Sequence, residues 1–318
     1  MTIVVTGGAG FLGTQLIHAL LQPDAGDITS LTPDIVSIDL APCPVTDPRV
    51  RSVTGDISDS ELLASCIDAG VTHVYHLAAI VSGQAEADFD LGMRVNLDAT
   101  RALLEACRQR AKLPKFVFAS SLAVFGGTLP LRVPDTQAPM PQSSYGAQKA
   151  MGELLVNDYS RKGFIDGRVC RLPTISVRPG RPNAAASSFA SGIIREPLAG
   201  ETSVCPVPLD TRLWLCSPRT VIHNLVHAGR LDGASLGGHR TLNLPGICVT
   251  VSDMLGSLER LAGPETRARV SLAPDERIQR IVCSWPGDFD IDRPLRLGFA
   301  VDDGIDALVQ AHQRASAA

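Results

Sequence analysis

The sequence has no long run of basic residues, and its formal net charge is −4 with both signs spread along the chain. That argues against nucleic acid or an anionic membrane as a partner. It has no stretch of about 18 apolar residues, so a membrane span is not expected. No charged segment followed by an apolar one precedes the first strand-like run at 2–6, so a secretory signal is not expected either. Cys-x-x-Cys pairs are lacking, and the eight cysteines (43, 66, 107, 170, 205, 216, 248, 283) are dispersed singly. This pattern reads as reduced, mostly buried thiols and points to the cytoplasm. Internal repeats and low-complexity segments are also lacking. His223 and His227 stand four apart in an apparent helix, but no third ligand accompanies them. Their neighbours Ile222, Leu225 and Val226 suggest packing, so no metal is expected.

What is present is apolar material, 45% of 318 residues, enough to bury a sizeable core. Short apolar runs at 2–6, 35–39, 51–54, 73–77, 115–120 and 168–172 read as strands. Amphipathic stretches at 11–21, 59–69, 88–111 and 145–162 read as helices. Such alternation predicts an α/β fold, a doubly wound parallel sheet of the Rossmann type. The strands at 73–77 and 115–120 carry few charges, as expected of strands covered on both faces. After about residue 174 proline and glycine become frequent. Helices are expected near 186–198, 220–230, 251–262 and 304–315, with short strands between. The predicted organisation is a cofactor-binding domain over 1–174. Residues 175–318 mainly form a smaller α+β substrate-binding lobe, with some segments returning to the first domain. Disorder is expected over 314–318.

Thr6-Gly7-Gly8-Ala9-Gly10-Phe11-Leu12-Gly13 lies between a strand and a helix, with glycines spaced G-x-x-G-x-x-G. Gly7 allows a tight turn, Gly10 a close approach of backbone to a pyrophosphate, and Gly13 close helix–strand packing. The N–H groups of Phe11 and Leu12 then open a helix whose dipole favours an anion. No lysine follows Gly13, which excludes a Walker-type loop. Asp39 ends the second strand, where a carboxylate accepts from ribose hydroxyls and repels a 2′-phosphate. Leu40-Ala41-Pro42 supply no basic residue, so NAD is the expected cofactor rather than NADP. Asp39 lies further past Gly13 than the usual ~20 residues, which an insertion over 26–33 explains. Asp56-Ile57 after the third strand suits an adenine ring. Leu77-Ala78-Ala79 at the end of the fourth offers small residues to the nicotinamide half. His76 beside them is read as packed, not as a base.

Tyr145 and Lys149 are four apart and share a helical face. An unperturbed phenol ionises near pH ~10. A neighbouring ammonium and the positive ring of oxidised nicotinamide favour the phenolate, which can then take a proton from an alcohol. Ser121 is the preferred serine for orienting the reacting oxygen, with strand-end capping left to Ser120. Asn96 sits inside a long helix, a poor place for asparagine. It is expected to hold a water or a backbone carbonyl near Lys149.

With these residues assembled, the chain resembles the extended short-chain dehydrogenase/reductase family, also called the NAD-dependent epimerase/dehydratase family. The resemblance spans 6–13, Asp39, Asp56-Ile57, 76–79, Asn96, Ser120-Ser121 with Val124-Phe125-Gly126, Tyr145/Lys149, 171–174 and the closing 290–299. It implies that Leu172, Pro173 and Thr174 lie near the nicotinamide. It also implies that helices 85–111 and 146–162 form a homodimer bundle. Two departures narrow the reaction. Leu122-Ala123 stand where the family's dehydratases carry acids after the active-site serine. Arg219-Thr220-Val221-Ile222-His223-Asn224 lacks both acids of the segment common in sugar-nucleotide members. The segment 171–192 resembles the branch acting on D-erythronate. The implied reaction is NAD-dependent oxidation of the C2 hydroxyl of a small sugar acid. Arg178 is placed to bind its carboxylate through two parallel hydrogen bonds, and Ser82, Trp214 and Ser217 are further substrate candidates. A sugar-nucleotide 4-epimerase, a uronate dehydrogenase and a non-catalytic dinucleotide-binding regulator are the competing readings.

Overall fold

The computed structural model describes residues 1–22 and 33–317. Among these the strands are, in chain order, β1 (Thr2–Thr6), β2 (Asp34–Asp39), β3 (Val50–Thr54), β4 (Val71–His76), β5 (Lys115–Ser121), β6 (Asp166–Leu172), β7 (Thr174–Ile175), β8 (Ser203–Cys205), β9 (Arg212–Cys216), β10 (Thr241–Asn243), β11 (Ile247–Thr250) and β12 (Val270–Leu272). Seven of them form one parallel sheet in the order β10-β6-β5-β4-β1-β2-β3. The chain winds outward from β1 in one direction through β3, then returns to β4 and winds in the other. This is the Rossmann-type, doubly wound arrangement. Its reversal leaves a crevice beyond the carboxyl ends of β1 and β4, where Thr6 pairs with His76.

Strand side chains alternate between faces, and the burial follows that period. Ile3, Val5, Ile35, Tyr75, Val117 and Cys170 pack on one side with Leu16 and Ile17 of helix Phe11–Leu21 and with helix Pro218–Arg230. That second helix buries Val221, Ile222, Leu225 and Val226, a stripe at helical spacing. Each such side chain contributes about 1.5–3 kcal/mol of burial. Val4, Val36, Val74, Phe116, Phe118 and Val169 pack on the other side with helices Ser60–Cys66, Ala99–Arg110 and Ser144–Arg161.

The second lobe has its own core, built from Ile193, Ile194, Leu215, Met254, Leu255, Leu258 and Val309. β9 pairs antiparallel with β11 and parallel with β7, while β8 pairs with β12. β10 leaves this lobe to join the edge of the main sheet beside β6. Across the crevice Ala186 N donates to Ser82 Oγ at 3.1 Å, and Arg277 donates to Gly83 O at 3.2 Å.

Two expected elements differ. The helix expected over 88–111 runs without interruption from Phe89 to Arg110 but widens into a π-helical turn at Met93–Asp98, and a separate short helix, Ser82–Ala87, precedes it. The widened turn carries Asn96 inward, where it is 1% exposed and its side chain bonds the backbone of Ile80. The C-terminal helix runs Ile305–Ala317, so the disorder expected from 314 is not seen through residue 317. Its buried Leu308 and Val309 anchor it to the second core. Apart from Pro33, the 26–33 insertion lies outside the described residues. Among the described residues no helix is long and apolar enough to cross a membrane.

His76 is fully buried between Thr6 Oγ1 (2.7 Å from Nδ1) and Thr100 Oγ1 (2.8 Å from Nε2), and burial pushes its pKa down to about 3. The neutral ring is therefore favoured in the folded state. Its contribution is intact above the unfolded value of 6.5 and is lost as pH falls from there toward 3. Urea unfolding should show about 2 kcal/mol of stability lost between pH ~7 and ~5 through this residue. In His76→Gln that part of the pH slope should disappear; an unchanged slope would show that other groups carry it.

Candidate functional site

One cavity of about 290 Å³ opens at the crevice. Its floor is the glycine turn, contributing Gly7, Gly10, Phe11, Leu12 and Gly13. Leu77 and Ala79 come from the end of β4, and Ser121, Tyr145 and Lys149 from β5 and the helix behind it. Leu172 ends β6, Pro173 follows it and Thr174 opens β7, and Ser82 and Arg178 stand toward the second lobe. The chain thus brings together residues far apart in sequence.

The glycines divide into two kinds. A Cβ on Gly13 would lie 2.0 Å from Gly7 O, and one on Gly7 would lie 2.8 Å from Ala78 N, with Gly7 at φ +75°. Those two positions are glycine because the protein's own backbone crowds them. A Cβ on Gly10 would meet only Gly7 O, at 3.2 Å. Its bareness serves something entering from the cavity. Gly10 also caps helix Phe11–Leu21 with no side-chain bond, which leaves the first-turn N–H groups to an outside acceptor. This bare cradle fits a pyrophosphate. Asp39 braces the turn, its Oδ2 accepting from Ala9 N at 3.0 Å and its Oδ1 from Ala41 N at 3.4 Å. It is partly exposed and retains lone pairs for ribose hydroxyls.

Asp39, Asp56, Ile57, Ala78 and Asn96 are not among the residues lining the cavity. Asp56 accepts from Ser58 N at 2.8 Å, which holds its carboxyl below the usual range. Ile57 is 6% exposed and packs in the core on one face of the sheet. Ala78 packs on Gly7 and donates to Thr6 Oγ1 at 3.3 Å. Asn96 accepts from Ile80 N at 2.8 Å and donates to Ile80 O at 3.0 Å and Gln148 Oε1 at 2.8 Å. The carbonyl it holds is that of Ile80, while Lys149 Nζ donates to Ala119 O at 2.9 Å.

Lys149 is 2% exposed, with Nζ 4.8 Å from the Phe118 ring centroid and 5.8 Å from that of Tyr145. Burial pulls its pKa down to about 8. Burial likewise pushes the Tyr145 phenol up to about 12 in the protein alone, and the nearby Ser121 hydroxyl acts in the opposite sense. The serine roles differ from expectation in one respect. Ser121 Oγ accepts from Ala123 N at 3.1 Å and so caps the turn after β5, whereas Ser120 Oγ donates to Glu153 Oε1 at 2.5 Å. Capping, expected of Ser120, falls to Ser121 because the chain turns one residue later.

Arg178 stacks over Phe11, 5.1 Å from the ring centroid, and its guanidinium has no hydrogen-bond or ion-pair partner among the described residues. Desolvation and the nearby Arg195 cation both lower its pKa. Its backbone is clamped, since Arg178 N donates to Ser191 Oγ at 3.0 Å and Arg195 donates to Arg178 O at 2.7 Å. Ser82 is 5% exposed and already accepts from Ala186 N.

Two expected lining residues lie elsewhere. Trp214 points into a separate cluster with Phe125 and Phe289, and its indole donates to Leu244 O at 3.2 Å. Ser217 caps helix Pro218–Arg230 and donates to Asp302 Oδ1 at 2.6 Å. Both have partners within the protein that satisfy them, and neither is among the residues lining the cavity. The tryptophan that does line it is Trp285, together with Asn183, Ser187, Ser188 and Arg195. Trp285 follows helix Glu276–Val282 and precedes Pro286-Gly287, a turn signal that marked a loop without marking where it folds. His227 bonds Leu297 O at 2.7 Å and stacks with His223. Among the described residues no group of His, Cys, Asp and Glu is arranged to hold a metal.

The two kinds of glycine should separate experimentally. Gly13→Ala should lose about 3 kcal/mol of stability by overpacking and melt earlier with or without NAD. Gly10→Ala should keep its melting temperature within about 2 °C yet bind NAD roughly 10-fold more weakly. Thermal melts and NAD titrations of both variants check this; equal destabilisation of the two would refute the division.

The sequence pattern of the NAD dependent epimerase/dehydratase family matches residues 3–215. A D-erythronate dehydrogenase of Cupriavidus necator is 54% identical over 316 residues, covering 98% of each chain. A D-erythronate dehydrogenase of Haemophilus influenzae is 48% identical over 312 residues, again covering 98% of each. Among solved structures, a protein described as the nucleoside-diphosphate-sugar epimerase from Agrobacterium tumefaciens superposes with a TM-score of 0.92 at 39% identity, covering 99% of this chain and 94% of that one. With the cradle, the doubly wound sheet and these relatives in agreement, this chain belongs to the NAD-dependent epimerase/dehydratase family, and its cofactor is NAD.

Proposed function

We propose that this NAD-dependent dehydrogenase oxidises the C2 hydroxyl of D-erythronate to 2-oxo-D-erythronate. The observation that carries the reading is the Arg178 guanidinium, which has no anionic partner among the described residues and lines the same cavity as the Tyr145 phenol. A desolvated cation there favours a substrate carrying a carboxylate. The high identity to two D-erythronate dehydrogenases supports the choice of acid.

Bound NAD supplies the acceptor for the hydride leaving C2 and a positive ring charge. Tyr145 takes the C2 hydroxyl proton on its phenolic oxygen, Ser121 orients the oxygen that loses it, and the Lys149 ammonium favours the phenolate. Arg178 holds the carboxylate, which fixes C2 toward the nicotinamide side. Residues 1–174 hold the cofactor in this reading, and the lobe within 175–318 closes over the acid. The 2-oxo acid then leaves, and Tyr145 gives the proton it took to solvent. A homodimer through helices 85–111 and 146–162 belongs to the same reading, supported by the exposed Phe89 and Leu154 they carry. So does a cytoplasmic location, supported by eight free and mostly buried cysteines.

A screen of C4–C6 aldonates, uronates and UDP-hexoses by NADH absorbance tests the reading, with D-erythronate expected to give the fastest turnover. UDP-hexose epimerisation without NADH release would replace it. Tyr145→Phe should lower turnover on the order of 10³-fold while sparing NAD binding. Arg178→Met should raise KM for the acid about 100-fold. An unchanged KM would remove Arg178 from the carboxylate.

A further inference from the structure

Tyr145, Lys149 and Glu153 recur every four residues on helix Ser144–Arg161 and so share one face. That face meets the end of β5 at three consecutive residues. Ala119 O accepts from Lys149, Ser120 Oγ donates to Glu153, and Ser121 lines the same cavity as Tyr145. Phe116, Phe118 and Ser120 alternate onto the side of the sheet that packs on this helix. Ser121 has the opposite parity and ends in the cavity. Holding Ser120 against Glu153 therefore holds Ser121 where it stands.

The Glu153 side chain is 4% exposed and grips Arg171 of β6 with both oxygens, at 2.7 and 2.9 Å. Arg171 is itself satisfied further out, by Asp135 O, by Asn243 Oδ1 and by the Phe125 ring. A purely structural ion pair would need Arg171 alone. Glu153 spends an additional bond on the strand carrying Ser121, and its charge also acts on the ammonium one turn away. Burial works against that ammonium, and the Glu153 carboxylate opposes the burial. The other charged or titratable groups around this cluster are Tyr145 on the same helix, His76 on β4, Asp135 and His239 near Arg171, and Arg293 paired with Asp135 at 3.0 Å. His76 is neutral at working pH, and Asp135 is occupied by Arg293. Glu153 is therefore the carboxylate available to Lys149.

We infer that Glu153 is a positioning residue for the reaction proposed above: through Ser120 and Arg171 its carboxylate fixes the strand end whose Ala119 carbonyl holds Lys149 and whose Ser121 lines the cavity with Tyr145, and it stands one helical turn from the Lys149 ammonium. The inference rests on the reading of Tyr145 and Lys149 as the proton-handling pair. Its test reads Lys149 directly, by NMR titration of the chain with isotopically labelled lysine, alongside the pH profile of kcat/KM.

In Glu153→Gln the Lys149 titration should move down by about one pH unit, and the alkaline limb of kcat/KM should move with it, with kcat falling more than KM changes. Glu153→Asp, which retains the charge, should return both to their wild-type positions. Ser120→Ala should lower kcat a few-fold without moving the titration. A folded Glu153→Gln whose lysine titrates as in wild type overturns the inference. If the unpaired Arg171 prevents that variant from folding, Glu153→Gln/Arg171→Gln removes both charges together. A smaller shift in the same direction is then expected, because the Arg171 cation leaves together with the carboxylate nearer Lys149, and no shift, or an upward one, overturns the inference equally. Failure of wild type to oxidise D-erythronate would instead reject the proposed substrate and leave the lysine titration to judge Glu153.

Discussion

The site depends on how one helix is fastened to the end of one strand. Lys149 reaches across to Ala119 O, 2.9 Å away, from a position almost wholly out of solvent. A buried ammonium is costly unless it is hydrogen-bonded and faces compensating charge or π density. Here the Ala119 carbonyl, the Phe118 ring and the Glu153 carboxylate provide that compensation. The same contact sets the distance between the phenol one turn earlier and the serine two residues later. Register, charge and cavity shape thus follow from a single junction.

The two lobes contribute opposite things. The sheet and the glycine turn offer backbone donors, small side chains and the Asp39 carboxylate, which suit a dinucleotide and disfavour an extra phosphate. The second lobe offers guanidinium groups. Arg195 is paired with Glu196 at 2.6 Å, and Arg178 has no such partner among the described residues. Helix Phe189–Leu198 grips the segment before and at Arg178 through Ser176, Ser191 and Arg195. That preorganisation leaves the Arg178 side chain little to lose on meeting an anion. The cavity therefore carries the Arg178 cation on one wall and the Tyr145 phenol beside Lys149 on another.

The elements that were legible were those in which local chemistry and global packing agree. The glycine spacing, the strand–helix alternation and the Tyr145–Lys149 interval each follow from one strand, turn or helix. Helices 11–21 and 251–262 fall where their patterns put them, the second with a capping box between Thr250 and Asp253. The long helix through Asn96 falls where its pattern put it, but its π-helical turn did not follow from the pattern, because side-chain hydrogen bonds from Asn96 to Ile80 set the local winding. Trp214 and Ser217 failed as lining residues for a similar reason. Each is a residue type able to bind sugar hydroxyls, but Leu244 O and Asp302 satisfy them inside the protein.

From the sequence alone came the sheet type, the cofactor and the Tyr145–Lys149 pair on one helix face, because these rest on intervals of a few residues along one element. Only tertiary structure decided what lies opposite that pair. Trp285 and Arg195 reach the cavity across lobes, and Glu153 finds Ser120 across a helix–strand interface. Such contacts join residues by packing of whole elements, and no local interval in the chain encodes which face meets which.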